Sequence, residues 1–160
     1  MAKLYLGMGT NKGDRAKQLA DALEACGRQL GHMLIASPIY ETAAWGIEEQ
    51  ADFLNQVVLV ETSVPPLECL EIVLDIEAQL GRQRMIKWGP REIDIDLLFY
   101  DDLIFQDHRL SLPHPYIQER RFVLQPLADI AGEFVHPVLD QSINDLLAQT
   151  KDASEVVLWS

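Results

Sequence analysis

Asp94 and Asp96 stand two residues apart, interleaved with Ile93, Ile95 and Leu97, directly after a basic stretch that holds Arg82, Arg84, Lys87 and Arg91. This alternation predicts a strand from Glu92 to Tyr100 with both carboxylates on one face. At roughly 6 Å two such charges repel by about 0.7 kcal/mol in water and about 3 kcal/mol at an effective dielectric near 20. A solvated strand face is the ordinary reading of that spacing. Partial burial would call for cations instead, and a divalent metal is the natural candidate. The neighbourhood favours the second reading. Seven of the 13 Lys and Arg residues (Arg82, Arg84, Lys87, Arg91, Arg109, Arg120 and Arg121) fall in one stretch of a chain whose formal net charge is −12. Cations gathered around a carboxylate pair suit a polyphosphate carried by metal ions.

Other residues invite chemistry, each with a plainer alternative. Phe53 and Asn55 occupy alternate positions of one predicted strand, so a ring and an amide face the same way and suit a flat heterocycle, or else a core aromatic beside a structural amide. Phe122 follows Arg120 and Arg121, a second aromatic beside cations, or again core. His114 lies between Pro113 and Pro115, which lack amide donors and stiffen the loop around one imidazole. It either donates to phosphate or packs the loop. Trp88, in the basic loop beside Gly89 and Pro90, is a candidate plug on loop closure, and Glu77 late in a helix is a candidate ligand contact or an ion-pair partner. The run Gly7 to Gly13 lacks the spacing of either glycine-rich phosphate motif. It reads as a tight strand-to-helix turn in which Asn11 and Gly13 take left-handed backbone geometry and ligands can approach closely. His32, His108 and His136 read as structural or surface residues, and Cys26 and Cys69 as reduced core residues.

The elements that must position these groups follow from periodicity. Strands are expected over Lys3 to Gly9, His32 to Glu41, Phe53 to Glu61 and Glu92 to Tyr100. Helices are expected over Asp14 to Leu30, capped by Asp14 and stopped at Gly31, and over Pro65 to Leu80, closed by Gly81. The order β-α-β-β-α-β is the ferredoxin-like pattern, an α+β fold with a mostly antiparallel sheet packed on helices. The last third is less regular, with a turn at Asp101-Asp102 and a short helix from Ser142 to Gln149. Thr42 to Asp52 and Gly81 to Arg91 are the loops expected to carry binding groups. At 160 residues, 48% hydrophobic and 24% charged, the chain is expected to form one domain over 1–160. With neither a membrane-length apolar run nor a signal-like start, it is expected to be cytoplasmic, with no membrane partner. The acidic balance argues against a nucleic-acid partner.

Taken together, Gly9-Thr10-Asn11, Tyr40-Glu41-Thr42, Phe53-Leu54-Asn55, Glu77 to Arg84, Trp88-Gly89-Pro90-Arg91 with Ile93-Asp94-Ile95-Asp96, and Pro113-His114-Pro115 resemble the 6-hydroxymethyl-7,8-dihydropterin pyrophosphokinases of folate biosynthesis. The resemblance covers nearly the whole chain. It implies a ferredoxin-like fold and a monomer that transfers pyrophosphate from ATP to the pterin hydroxymethyl oxygen and releases AMP. It further implies that Asp94 and Asp96 hold two Mg²⁺ ions and that Arg82 and Arg91 neutralise charge in the transferred group. Arg84, Trp88, Arg109, Ser111, His114 and Arg120, with Glu77, match positions around ATP. Thr42, Trp45, Phe53, Asn55 and Phe122, with Asp94, match the pterin pocket. Two other classes keep part of this pattern. A different metal-dependent phosphotransferase or nuclease would retain the aspartates, and a non-catalytic ferredoxin-like module would retain the fold.

Overall fold

A computed structural model describes residues 1–43, 51–82 and 93–160, with Arg82 described by its backbone alone. Strand β1 (Ala2–Thr10) runs antiparallel between β4 (Phe53–Thr62) and β5 (Asp94–Tyr100). β2 (Gly31–Ala36) and β3 (Tyr40–Thr42) both pair with β4, and β8 (Val156–Leu158) adds to the outer side of β3. The sheet order is therefore β5-β1-β4-β3-β8, with β2 also on β4. A separate hairpin joins β6 (Phe105–Gln106) to β7 (Ser111–Leu112). With helices α1 (Arg15–Gln29) and α2 (Pro66–Arg82), the expected α+β class is met, and the order is consistent with β-α-β-β-α-β when β2 and β3 are counted as the two halves of one strand.

Alternation along β1 builds two cores. Leu4, Leu6 and Met8 face Leu19, Ala22 and Cys26 of α1 and Val73 and Ile76 of α2. Tyr5 faces the other way, joining Phe99, Leu98 and Val57 against α3 (Arg121–Ala131) and α4 (Ile143–Gln149). A bulge between Tyr5 and Leu6 accommodates one extra residue of β5, which lets Leu98 and Phe99 both serve the second core. Tyr5, Phe99 and Phe134 form an aromatic trio with centroids 4.8 to 6.0 Å apart.

Local chemistry accounts for most element ends. Asp14 caps α1 by accepting from Lys17 N at 3.2 Å, and Ser142 caps α4 by accepting from Asp145 N at 3.1 Å. Gly31 is irreplaceable at the start of β2, because a Cβ there would lie 2.1 Å from Glu61 O. The left-handed residue of the β1–α1 turn is Gly13, with φ of 58°, while Asn11 instead donates its side-chain amide to Ala51 O at 3.2 Å.

Four expectations are corrected. The single strand from His32 to Glu41 is two, broken at Ser37-Pro38, because Pro38 has no amide for the ladder and Ser37 binds Val57 through both its amide and its hydroxyl. Gly81 does not close α2, which continues to Arg82. Asn11 does not take the left-handed geometry expected of it in the turn, which Gly13 alone adopts. A third long helix, α3, lies where no regular structure was expected. Pro126 inside it concealed the periodic Val123, Leu124 and Leu127.

Candidate active site

Gly7 and Gly9 share the face of β1 that carries Tyr5, and on β4 Phe53, Asn55 and Val57 share one face by the same alternation. Where α3 begins, this side of the sheet opens into a cavity of about 360 Å³. Two glycines in succession on the inner face remove side chains from its floor. A Cβ on Gly9 would stand 2.8 Å from Asn55 Oδ1, so the glycine leaves room for that amide. Met8, between them, points into the opposite core.

Each wall comes from a different element. Asp94 and Asp96 line the cavity from β5, while Ile95 and Leu97 between and beyond them enter the opposite core, so the strand alternation places both carboxylates together as expected. Phe53 and Asn55 reach it from β4, Thr42 from β3, and Arg120 and Phe122 from the start of α3. The polar pair is tied internally. Asn55 is 6% exposed and donates through Nδ2 to Thr42 Oγ1 at 3.0 Å. The Arg120 guanidinium lies 5.2 Å from the Tyr116 ring centroid and 5.8 Å from that of Phe122, cation–π contacts that fix a positive charge beside the Phe122 wall of the cavity.

His114 stands at the edge of this group, electrostatically linked to both Asp96 and Arg120. Its amide donates to Leu98 O at 3.0 Å, and the preceding Leu112–Pro113 bond is cis. Burial lowers the imidazole pKa, with Asp96 pulling it up and Arg120 adding to the fall. Nδ1 accepts from Tyr116 N at 3.2 Å, which leaves Nε2 as the proton-bearing nitrogen of the neutral ring, a ready donor to an anion.

Glu77, the candidate ligand contact on α2, has a backbone partner on β5. It is 6% exposed on α2, and its Oε2 accepts at 2.7 Å from the amide of Ile95, the residue between the two aspartates. The carboxylate therefore braces β5 at the Asp-x-Asp step. Arg109 lies on the surface with Nη1 3.4 Å from Glu71 Oε1, and Ser111 pairs with Gln106 in the hairpin. Arg82 ends α2. Trp45, Arg84, Lys87, Trp88 and Arg91 lie outside the described residues. Both cysteines are buried in the core; burial first, then the charge of Glu77, pushes the Cys26 thiol up to about 12. His136 packs edge-on at 5.4 Å from Phe99 and accepts from Val138 N and Leu139 N, in keeping with a structural residue.

Sequence reasoning missed Ser154, which lines the cavity from the C-terminal segment, and Val57 and Val123 beside it. Ser154 carries no periodic signal, because its place depends on tertiary ties: Asp152, which accepts from its amide, is held by Arg121, and β8 just beyond it pairs with β3.

Comparison with known proteins points the same way as the site. The family model described as 7,8-dihydro-6-hydroxymethylpterin-pyrophosphokinase (HPPK) matches residues 5–132. The 2-amino-4-hydroxy-6-hydroxymethyldihydropteridine pyrophosphokinase of Aquifex aeolicus is 40% identical over 145 residues, 91% of this chain and 90% of that one. Its counterpart in Methylorubrum extorquens is 44% identical over 150 residues, 93% of this chain and 94% of that one. The fold is similar to that in the crystal structure of wild-type HPPK-DHPS from Plasmodium falciparum, with a TM-score of 0.73 at 19% identity, covering 92% of this chain and 44% of that one. A match across four-fifths of the sequence, together with relatives aligned over nearly their full length, leads to one conclusion: the chain belongs to the 7,8-dihydro-6-hydroxymethylpterin-pyrophosphokinase family.

Proposed function

We propose that the cavity bounded by Phe53, Asn55 and Phe122 holds the pterin and that Asp94 and Asp96 on its wall mark where the polyphosphate meets it. The chain is a pyrophosphokinase that transfers pyrophosphate from ATP to 6-hydroxymethyl-7,8-dihydropterin in folate biosynthesis. In that reaction the pterin hydroxymethyl oxygen forms a bond to the β-phosphorus of ATP, the bond from that phosphorus to the α-β bridging oxygen breaks, and AMP leaves. The observation that carries the reading is the meeting of an aromatic and amide pocket with two carboxylates and Arg120 in one cavity.

Phe53 and Phe122 supply two aromatic walls from separate elements, suited to a flat bicyclic ring. The Asn55–Thr42 pair supplies hydrogen-bonding groups held in place before the substrate arrives, which discriminates strongly against rings lacking the matching donors and acceptors. Arg120 and His114 present positive charge and a ring N–H toward the phosphate side. Arg82 and Arg91 are proposed to neutralise charge on the transferred group, with Arg84, Trp88, Arg109 and Ser111 around ATP and Trp45 at the pterin.

Asp94 and Asp96 fit Mg²⁺. Among the described residues no group of three or more His, Cys, Asp or Glu side chains stands ready to hold a metal by itself. Two carboxylates on one strand face are the donor set of magnesium that takes its remaining ligands from substrate phosphates and water. Two such ions, when bound, would offset the polyphosphate charge and clamp the attacking and leaving oxygens. The proposal extends to a cytoplasmic monomer without nucleic-acid or membrane partners, supported by the net charge of −12. No helix among the described residues is long and apolar enough to cross a membrane.

The test is incubation with ATP, Mg²⁺ and the reduced pterin, with products resolved chromatographically. AMP and pterin diphosphate are expected in equal amounts, and only with Mg²⁺ present. ADP as the nucleotide product would support a simple phosphotransferase instead, and full turnover in EDTA would remove the metal from the scheme.

A further inference from the structure

The family match ends at residue 132, yet Ser154 belongs to the wall of the cavity. The segment that carries it is fastened on both sides of that cavity. On one side β8 pairs with β3, Val156 opposite Thr42 and Leu158 opposite Tyr40, and Trp159 N donates to Ile39 O at 2.9 Å. On the other side Thr150 Oγ1 donates to Gln118 O at 3.0 Å, just before α3.

The central fastening is Asp152. Helix α3 begins at Arg121, and its N-cap residue, Arg120, makes no side-chain capping bond. Arginine has no acceptor with which to cap. Asp152 fills that role from 31 residues away, its Oδ2 accepting from Arg121 N at 2.8 Å. Its backbone oxygen accepts from Arg121 Nε, also at 2.8 Å, and its Oδ1 accepts from Ser154 N at 2.9 Å. One carboxylate thus ties the first turn of α3, where Phe122 and Val123 enter the cavity, to the residue that completes the rim. Although burial opposes it, bonds from the Ser154 hydroxyl and amide, with the Arg121 amide and charge, hold the carboxyl below its usual range, so the ionised form is the one in place at neutral pH.

We infer that Asp152 is a positioning residue for the pterin pocket, setting the Phe122 wall through a remote cap on α3, and that the Ser154 rim makes the C-terminal segment part of acceptor recognition. The inference rests on the cavity being the pterin site. It goes beyond a stabilising role because the capped turn and the bonded serine are themselves cavity wall.

The experiment uses the full chain and titrates 6-hydroxymethylpterin, as a non-reacting acceptor, against protein saturated with a non-hydrolysable ATP analogue. Affinity for that analogue is measured separately. Asp152→Ala is expected to weaken the pterin about tenfold, and to weaken the nucleotide analogue at least fivefold less. Asp152→Asn keeps an acceptor oxygen for Arg121 N and is expected to bind the pterin within threefold of the parent. Ser154→Trp, a substitution at a half-buried position that gives up the serine hydroxyl but keeps the backbone amide bond to Asp152 and the Asp152 cap on Arg121 N, is expected to cost more than tenfold in pterin affinity by narrowing the rim. Equal losses for both ligands in D152A, or pterin affinity unchanged in S154W, would overturn the inference. Asn55→Ala serves as the control for the site itself. If it too leaves pterin affinity unchanged, the cavity assignment fails; if it alone weakens binding, the cavity stands and the role of Asp152 and Ser154 falls.

Discussion

Gly9→Ala isolates the part of the pocket that depends on a missing side chain. The added Cβ would stand 2.8 Å from Asn55 Oδ1 and 3.7 Å from Leu54 O. Ordinary contact lies near 3.5 Å, so the Asn55 amide has to withdraw by roughly 0.7 Å. It has little freedom to do so, being 6% exposed and bonded to Thr42 Oγ1 at 3.0 Å. Losing that bond costs about 1 kcal/mol, and leaving one partner buried without a substitute costs about 1–3 kcal/mol. If roughly 1.4–2.8 kcal/mol of this falls on the bound state, pterin affinity drops about 10- to 100-fold. Isothermal titration with 6-hydroxymethylpterin measures the loss, and a thermal melt separates it from unfolding. A double-mutant cycle makes the test stricter. In an N55A background the clash has no target, so the added methyl group should cost less than about 0.5 kcal/mol of binding. Unchanged pterin affinity in G9A, or an equal penalty in both backgrounds, would refute the steric route through Asn55.

Further predictions concern the strand that carries the aspartates and the anchorage of α3. Glu77→Ala leaves the buried Ile95 amide without its acceptor and should destabilise the fold by about 1–3 kcal/mol in urea denaturation, with Glu77→Gln recovering most of it; a loss confined to ATP affinity would instead return Glu77 to the nucleotide site. Asp96→Asn should abolish most turnover while leaving the melting temperature near that of the parent, and a variant with normal rate and normal Mg²⁺ dependence contradicts the metal assignment. The phenol of Tyr40 donates to Asp129 on α3, and burial, then this bond and the charge of Asp129, raise its pKa to about 12. The folded chain therefore retains a proton that the unfolded chain sheds near pH 10, so this contribution to stability is present below pH 10 and disappears as the pH climbs to about 12. Denaturation profiles of Tyr40→Phe over that range should be flatter than those of the parent; identical slopes would place the effect elsewhere.

Much of this architecture was legible because it is written in short periods. Lys3 to Gly9 and Phe53 to Glu61 alternate clearly, and Asp14 announces the start of α1 by residue type. Asp94 and Asp96 were placed on one strand face by the same rule, and the cavity includes both. The break at Ser37-Pro38 was harder to see, since β-rich residues continue on either side and the reason for the break lies on β4. Helix α3 was hidden by Pro126, although that proline is buried within the helix. Resemblance brought Thr42, Phe53, Asn55 and Phe122 together; spacing alone left Phe53, Asn55 and Phe122 open between a ligand pocket and core, and placed Thr42 only at the start of a candidate binding loop. Asp152 and Ser154 were out of reach for a different reason. A side chain that caps a helix 31 residues earlier leaves no periodic trace.

β1 carries a consequence for how such a pocket can be lost. Its odd-numbered residues, Gly7 and Gly9, form the floor of the cavity, while its even-numbered residues, Leu4, Leu6 and Met8, fill the opposite core. A slip of one position in pairing would exchange the two sets, pushing Met8 into the substrate space and leaving glycines where packing is needed. The hollow and the core are thus two readings of one strand with opposite parity. Any sequence change that tempts β1 into a shifted register would forfeit stability and the cavity together, so the packing of Leu4 and Leu6 guards a proposed substrate site that neither residue lines.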